Sequence, residues 1–500
     1  MGTTEGEGDV VARIVIVGGG IGGLATALFL GRRGHQVTVL EKDSRSAGED
    51  PESDFFDWYR PGVPAAQPHS LLAPVRTVLR AEAPDVYEAM LRLGAEERHE
   101  FDRFPQYPPP RSGDEDLVTI RARRIIVERA LGDAARHQPE VTIHQGEAAT
   151  GLVIDNRGRS PQAIGVHRDA GALAADLVID AAGRRSPIPG WLTRRGARTP
   201  VIDSHRTGLA YFCRWYQLRP GAPADPEPTV TGGSTAFAVG GVFPSDNGVF
   251  AVHLMVSTSD PTRTALLDPA VFEAVARTFP GCSDWLALAH DPIGPIRVMA
   301  GLDNRRTALV DDSGPIITGL LGVGDSVMHT NPTLGTGIPF ALRTAAWVAA
   351  NADRPADAEL VVSHHHWITQ TLGPWFDHQV SADKASEDRL RNGTELTISA
   401  PNVPYDDTAT VLRAALPWCA LEDPQVMRTR ARVRHLMALP DDAYTAPGIH
   451  ERITEWLADH PNFTPPQQGP DRALWEQLTN PPELRRNPTT KVMNSGASTT

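Results

Sequence analysis

Two glycine-rich segments, about three hundred residues apart, hold the residues whose types and spacing suit a definite chemistry. The first, Gly18-Gly19-Gly20-Ile21-Gly22-Gly23, contains GxGxxG. In that spacing the first glycine makes a tight turn, the second lets a pyrophosphate approach the backbone, and the third lets a helix pack close to a strand. A helix starting at Ile21 presents N–H groups and the positive end of its dipole to phosphates. Glu41 ends the next apolar run, where a carboxylate accepts hydrogen bonds from ribose hydroxyls, and Lys42 adjoins it. The second segment runs from Gly322 through Gly324, Asp325, Met328, His329, Asn331 and Pro332 to Gly335-Thr336-Gly337-Ile338. A nicotinamide fold would share the first motif. An extended flavin needs in addition a carboxylate beside its ribityl hydroxyls and a helix start near its pyrimidine edge, where negative charge gathers on reduction. Asp325 and the turn at Gly335 to Ile338 supply these in that order, so the two segments together point to FAD.

Other chemistries find less support. The net charge of −13 disfavours nucleic acid and anionic membrane surfaces. Cys213, Cys282 and Cys419 form no CxxC pair, which indicates neither a disulfide framework nor a metal site and fits a reducing cytoplasm. His364, His365 and His366 are adjacent, so on a helix they point to different sides and cannot converge on one ion. The start of the chain, acidic and Gly-rich, has no signal-peptide pattern, and the apolar stretch Ile14 to Leu30 is crossed by five glycines, which excludes a membrane span there. His69 lies in the Pro-rich segment Arg60 to Leu72, RPGVPAAQPHSLL, where a histidine serves as a structural hydrogen-bonder or as a contact to flavin or substrate; His329 has the same two readings.

The elements that must position these residues are legible from apolar periodicity. Arg13 to Val17 and Gln36 to Leu40 read as strands around a helix from Ile21 to Arg33, a βαβ unit. Helices are expected at Ala73 to Arg80, Pro84 to Leu93 and Ile125 to Arg136, and strands at Val141 to His144 and Asp176 to Ile179. From about Thr207 to Val298 the pattern becomes that of an antiparallel sheet, with strands at Gly208 to Leu218, Thr235 to Phe243 and Val249 to Ser257. The turn Ser245-Asp246-Asn247-Gly248 joins the last two, because Asn-Gly supplies positive φ. Alternation sends Tyr211, Cys213 and Trp215 to one face and Phe212, Arg214 and Tyr216 to the other. The nucleotide fold resumes with a strand at Ile316 to Val323 and a helix from Gly337 to Ala350, and the rest is mostly helical. The expected fold is α/β: a GR2-type, Rossmann-like FAD-binding domain over residues 10–200 and 299–395, with a loop insertion at 46–117. An antiparallel substrate domain occupies 201–298, a helical C-terminal region 396–486, and a disordered tail 487–500.

With these motifs the chain resembles the FAD-dependent monooxygenases of the para-hydroxybenzoate hydroxylase fold, above all bacterial hydroxylases and epoxidases of natural products. The resemblance covers most of the chain up to about residue 395. Gly324-Asp325 resembles the family's Gly-Asp motif at the ribityl chain, and Pro332 to Gly337 its loop beside the flavin ring. Arg124 is similar to the family arginine that reaches the flavin phosphate or ribityl region. In Asp176 to Ser186, DLVIDAAGRRS, Gly183 matches the family's Asp-Gly motif while Ala182 stands where its aspartate would be. The resemblance implies a reaction in which reduced FAD captures O2 as a C4a-hydroperoxide and passes one oxygen to an apolar or aromatic small molecule. Electrons would come from NAD(P)H, directly or, given Ala182, through a separate flavin reductase. The catalytic group stays unassigned, with His69, Arg60, Arg214 and Tyr211 as candidates. Alternatives on the same cofactor are a halogenase, whose WxWxIP segment Asp57-Trp58-Tyr59-Arg60-Pro61 does not match, a reductase or dehydrogenase of a double bond, and a non-catalytic flavoprotein.

Overall fold

The computed structural model describes residues 11–45, 55, 66–104, 107–158, 160–226, 232–393, 408–444, 446–461, 463 and 468–480. The β-branched run Arg13–Val17 is β1, followed by α1 (Ile21–Gly31) and β2 (Gln36–Glu41). Next come α2 (Ala73–Glu82), α3 (Pro84–Arg92), the antiparallel pair β3 (Glu96–His99) and β4 (Val118–Arg121), α4 (Arg124–His137) and β5 (Val141–Gln145). A meander of β6 (Ala149–Asp155), β7 (Gln162–Arg168) and β8 (Gly171–Ala174) precedes β9 (Leu177–Asp180) and α5 (Ile188–Arg194). Strands β9, β1, β2 and β5, joined by the later β19 (Leu320–Gly322), make one parallel sheet in the order β19-β9-β1-β2-β5. Parallel strands need cover on both faces. Helices α1 and α4 cover one face and the meander with α5 the other, through Leu152, Val166, Trp191 and Leu192.

The second sheet is antiparallel. After β10 (Val201–Arg206) it takes β11 (Leu209–Leu218), β12 (Gly232–Ser234), β13 (Ala238–Pro244), β14 (Val249–Ser257) and β15 (His290–Ala300), in the order β12-β13-β14-β11-β15. Asn247 at φ 53° and Gly248 at φ 70° close the β13–β14 hairpin as the Asn-Gly pair predicts. Its outer face buries Phe212, Tyr216, Phe250 and Val252 against α6 (Pro269–Ala276) and α7 (Pro280–Ala287). The chain returns through β16 (Asp303–Ala308), β17 (Val310–Asp311), β18 (Gly314–Pro315), β19 and β20 (Met328–His329). Then come α8 (Gly337–Asn351), α9 (Ala358–Thr371) and α10 (Gly373–Asn392). The last helices are α11 (Thr408–Glu422), α12 (Pro424–Arg434), α13 (Pro440–Tyr444), α14 (Ile449–Asp459) and α15 (Arg472–Thr479).

Three local expectations change. The run Ile316 to Val323 is not one strand: Gly319, at φ 70°, turns the chain, and a Cβ there would lie 2.3 Å from the Ala163 carbonyl oxygen. Only Leu320–Gly322 enters the parallel sheet. The strand expected from Thr235 begins at Ala238, because the Thr235 N–H folds back to the Ala238 carbonyl. Helices α6 and α7 interrupt the section read as sheet; each has proline in its first turn, and the Asp268 carboxylate caps α6. The C-terminal helices pack back on the rest of the chain: Trp475 of α15 enters the outer core of the sheet, and Arg428 of α12 pairs with buried Asp114 at 2.8 Å. No helix among the described residues is long and apolar enough to cross a membrane. The tail 487–500 lies outside the described residues.

Candidate flavin site

The phosphate loop is shaped by what its glycines exclude. Gly18 sits at φ 111°, and a Cβ there would lie 2.4 Å from the Ala181 carbonyl oxygen; at Gly23 it would lie 1.9 Å from the Gly18 carbonyl oxygen. At Gly20 a Cβ would meet nothing within 4 Å. The first and third glycines are thus required by the fold itself, while the second borders open space. Helix α1 starts there with no side-chain cap and no acid in its first turn, which leaves its N–H groups to an anion. Glu41, buried, accepts the Gly19 N–H at 2.6 Å on Oε2 and the Asp43 N–H at 2.8 Å on Oε1. It holds the loop and keeps lone pairs for ribose hydroxyls. The Lys42 side chain is exposed.

The second segment lies close to the first because α8 is brought beside α1. Cβ atoms at Gly22 and Gly324 would approach the Ala341 methyl at 3.6 and 3.2 Å, so glycine is what lets the two helix starts converge beyond the carboxyl ends of β1, β9 and β19. Gly324, at φ 60°, donates its N–H to Thr344 Oγ1 at 3.0 Å. Asp325 then lies at the first residue of α8, its Oδ1 at 3.9 Å from the Cβ that Gly337 lacks. Burial opposes its charge, yet the His329 hydrogen bond (Nδ1 to Oδ2, 2.9 Å) and nearby Arg124 and Arg184 hold the carboxyl below the ordinary carboxylate range. His329 Nε2 is buried without a hydrogen-bond partner, a polar atom beside Asp325 that a ligand can satisfy. Helix α8 also lacks a side-chain cap and a first-turn acid. Pro332 opens the short turn Pro332–Leu334, Thr336 is buried against Thr330 Oγ1 at 2.6 Å, and Ile338 is buried.

Several further sequence candidates gather here. Gly335, at φ 70°, packs against Ser70 and Leu72, which brings in His69. Burial and the charge of Arg124 push the His69 imidazole down to about 3, so it is neutral, with Nδ1 2.8 Å from the Gln67 carbonyl oxygen. Arg124, the first residue of α4, donates from Nε to Glu128 at 2.8 Å. Gly183, at φ 77°, begins the turn after β9. Beside it the Ala182 N–H and the Ser186 hydroxyl donate to Asp180, whose carboxyl burial nevertheless raises to about 6. Tyr211 donates its hydroxyl to Asn331 Oδ1 at 2.9 Å. Arg214 is a correction: strand alternation turns it to the outer face of the sheet, where it pairs with Glu273 of α6 at 2.5 Å, away from the flavin loops. Arg60 and residues 57–61 lie outside the described residues.

Sequence reading missed two buried groups. Asp246, in the hairpin turn, meets Arg123, and Asp383 of α10 meets the loop at Asn331. Arg123 and Asp246 carry no sequence signal, since their pairing is long-range. Asp383 carried a weak one: it interrupts the buried face of α10 formed by Phe376, Gln379 and Leu390.

Residues 13–113 match the FAD dependent oxidoreductase family. That segment takes in β1, α1 and β2, the start of the nucleotide-binding sheet, and is similar to an FAD-dependent oxidoreductase domain. A protein of Mycobacterium tuberculosis, Protein Rv3254, is 26% identical over 412 residues, which cover 74% of this chain and 81% of that protein. Among solved structures, PqsL of Pseudomonas aeruginosa, described as a probable FAD-dependent monooxygenase, is 18% identical with a TM-score of 0.53, over 76% of this chain and 98% of its own. The flavin-dependent halogenase CmlS is 18% identical with a TM-score of 0.54, over 90% and 78%. The Diels-Alderase PyrE3 of pyrroindomycin biosynthesis is 16% identical with a TM-score of 0.53, over 85% and 81%. These structures share the fold of the oxidoreductase, and FAD is its cofactor. The open cradle at Gly20, the two uncapped helix starts and the orphaned His329 Nε2 fit that cofactor.

Proposed function

We propose that this oxidoreductase is a monooxygenase that transfers one atom of O2 to an apolar or aromatic small molecule, a natural product of bacterial metabolism, in the cytoplasm. The observation that carries the reading is the inner face of the antiparallel sheet. At one end of β11, Trp215 Nε1 donates to the Ala66 carbonyl at 2.8 Å, in the loop that bears His69; at the other, Tyr211 reaches Asn331 beside the second flavin loop. Between them Cys213 stands in register with His253 and Arg297. His253 stacks on Tyr211 with ring centres 5.9 Å apart and meets the edge of Phe243 at 5.5 Å. Burial pushes its imidazole down to about 4, and Nδ1 has no hydrogen-bond partner. A neutral imidazole between aromatic rings suits a flat, weakly polar substrate better than a strongly charged one.

Bound FAD, once reduced, supplies the oxygen activation; the protein binds, orients and keeps water out. His69, neutral near Arg124 and Asp325, can exchange a hydrogen bond without adding charge. Electrons come from NAD(P)H, and the Ala182 substitution in the turn after β9 favours delivery through a separate reductase. The test is reduction with NADPH or NADH, with and without an added flavin reductase, followed by 18O2 in the presence of aromatic and conjugated candidates. One labelled oxygen in the product is expected. A product formed without label overturns the reading in favour of a dehydrogenase or reductase.

A further inference from the structure

We propose that Asp383 is a positioning residue for the flavin, clamping the Asn331–Gly337 loop to α10 and, through Asn331, to the substrate sheet. Its carboxylate is 3% exposed. Oδ1 accepts from Asn331 Nδ2 at 2.9 Å, Thr333 Oγ1 at 2.7 Å and Gln379 Nε2 at 2.9 Å, and Oδ2 accepts from Asn304 Nδ2 at 2.8 Å. All four donors are neutral. Asn304 of β16 also accepts the Asn331 N–H at 2.7 Å, and Asn331 Oδ1 takes the Tyr211 hydroxyl. Strands β11 and β16, the loop and α10 therefore meet around one carboxylate.

Packing alone does not explain that choice. Burying an ion is costly, and apolar groups of similar volume hold a core at least as well; Phe340, Leu372 and Phe376 do so nearby. What a carboxylate with four directed donors adds is a single register for the loop. The far end of that loop is Thr336-Gly337, the start of α8, so the register fixes the uncapped helix terminus that would face a bound flavin. A fixed negative charge behind this terminus also opposes the negative charge a flavin gains on reduction. Asp383 thus sets both the seat of the flavin and the ease of reducing it. This rests on FAD being the cofactor and not on the oxygen-transfer reaction.

The test uses the full-length, flavin-loaded protein with Thr333→Val, which removes one donor at an exposed residue, and Asp383→Asn. The wild-type visible spectrum comes first: absence of bound flavin would refute the cofactor reading rather than this one. In Thr333→Val the FAD dissociation constant is expected to rise about tenfold, the loss of one hydrogen bond to a charged group, with unchanged circular dichroism. In Asp383→Asn the reduction potential is expected to shift positive and the visible band of the bound flavin to move. Variants with wild-type affinity, spectrum and potential, altered only in melting temperature, would overturn the proposal. Should Asp383→Asn not fold, unchanged affinity and spectrum in Thr333→Val alone would overturn it.

Discussion

Asp246→Ala cuts the joint between the antiparallel sheet and the nucleotide fold, and its cost can be worked from burial. The Arg123 guanidinium is 1% exposed and the Asp246 carboxylate 0%, with Arg123 Nε 2.9 Å from Oδ2. The same carboxylate accepts the Arg123 backbone N–H at 2.6 Å, immediately before α4, and so ties the start of that helix to the hairpin turn. Beside it Asn247 Nδ2 donates to the Leu93 carbonyl, which seats the turn at the end of α3. Removing the carboxylate takes the ion-pair partner from a buried guanidinium, which costs about 3–5 kcal/mol. We expect a loss of about 4 kcal/mol, whereas cutting the solvent-screened pair Arg219–Asp291 should change stability far less. Because Arg124 follows Arg123 and acts on Asp325, flavin retention should fall as well. The double variant Arg123→Met/Asp246→Leu should recover most of the stability, since no charge is then left unpaired. Urea unfolding of Arg123→Met, Asp246→Leu and the double closes the cycle. A single-variant cost under about 1 kcal/mol, or a double variant that loses the sum of the singles, would refute the reasoning.

Three more outcomes follow from the same geometry. Gly20→Val should fold normally yet purify without flavin, whereas Gly23→Val should not fold, because its Cβ would overlap the Gly18 carbonyl; thermal melts and the flavin-to-protein absorbance ratio tell these apart. The Asp180 carboxyl, raised by burial to about 6 from 3.8, holds its proton more tightly in the folded chain. That stability is full below about pH 4 and is lost as pH rises through about 6, a fall of about 3 kcal/mol that Asp180→Asn should abolish in melts run from pH 4 to 8. Arg214→Met should leave turnover and flavin content unchanged, while His253→Phe should keep the flavin and raise KM; steady-state kinetics on an identified substrate decides, and the reverse ranking would move the substrate to the other face of the sheet.

The phosphate loop was legible because each of its demands is local. Gly18 and Gly23 are fixed by carbonyls of their own βαβ unit or of the neighbouring strand, and those constraints survive in any sequence that makes the fold. Asp325 was legible for a similar reason, as a carboxylate between a strand end and a helix start. Gly319 defeated the reading of Ile316 to Val323, since apolarity marks burial but not which sheet a buried residue joins. The meander Ala149–Ala174 went unread because its strands are largely half-exposed, which dilutes the period-two signal.

The sheet shows where such reading stops. Alternation placed Arg214 and Tyr211 on opposite faces, as found, but could not say which face meets the flavin loops; that depends on where α6 and α7 pack, and these helices were themselves unread. The choice of face is made by hydrogen bonds of long sequence separation, Trp215 to Ala66 and Tyr211 to Asn331. Each is a single polar atom on an otherwise apolar residue, invisible to a pattern that scores only hydrophobicity. The same holds for Asp383, whose four neutral donors come from three different elements. A buried carboxylate without a cation is the kind of residue that periodicity registers as an interruption and that only the assembled fold gives a use.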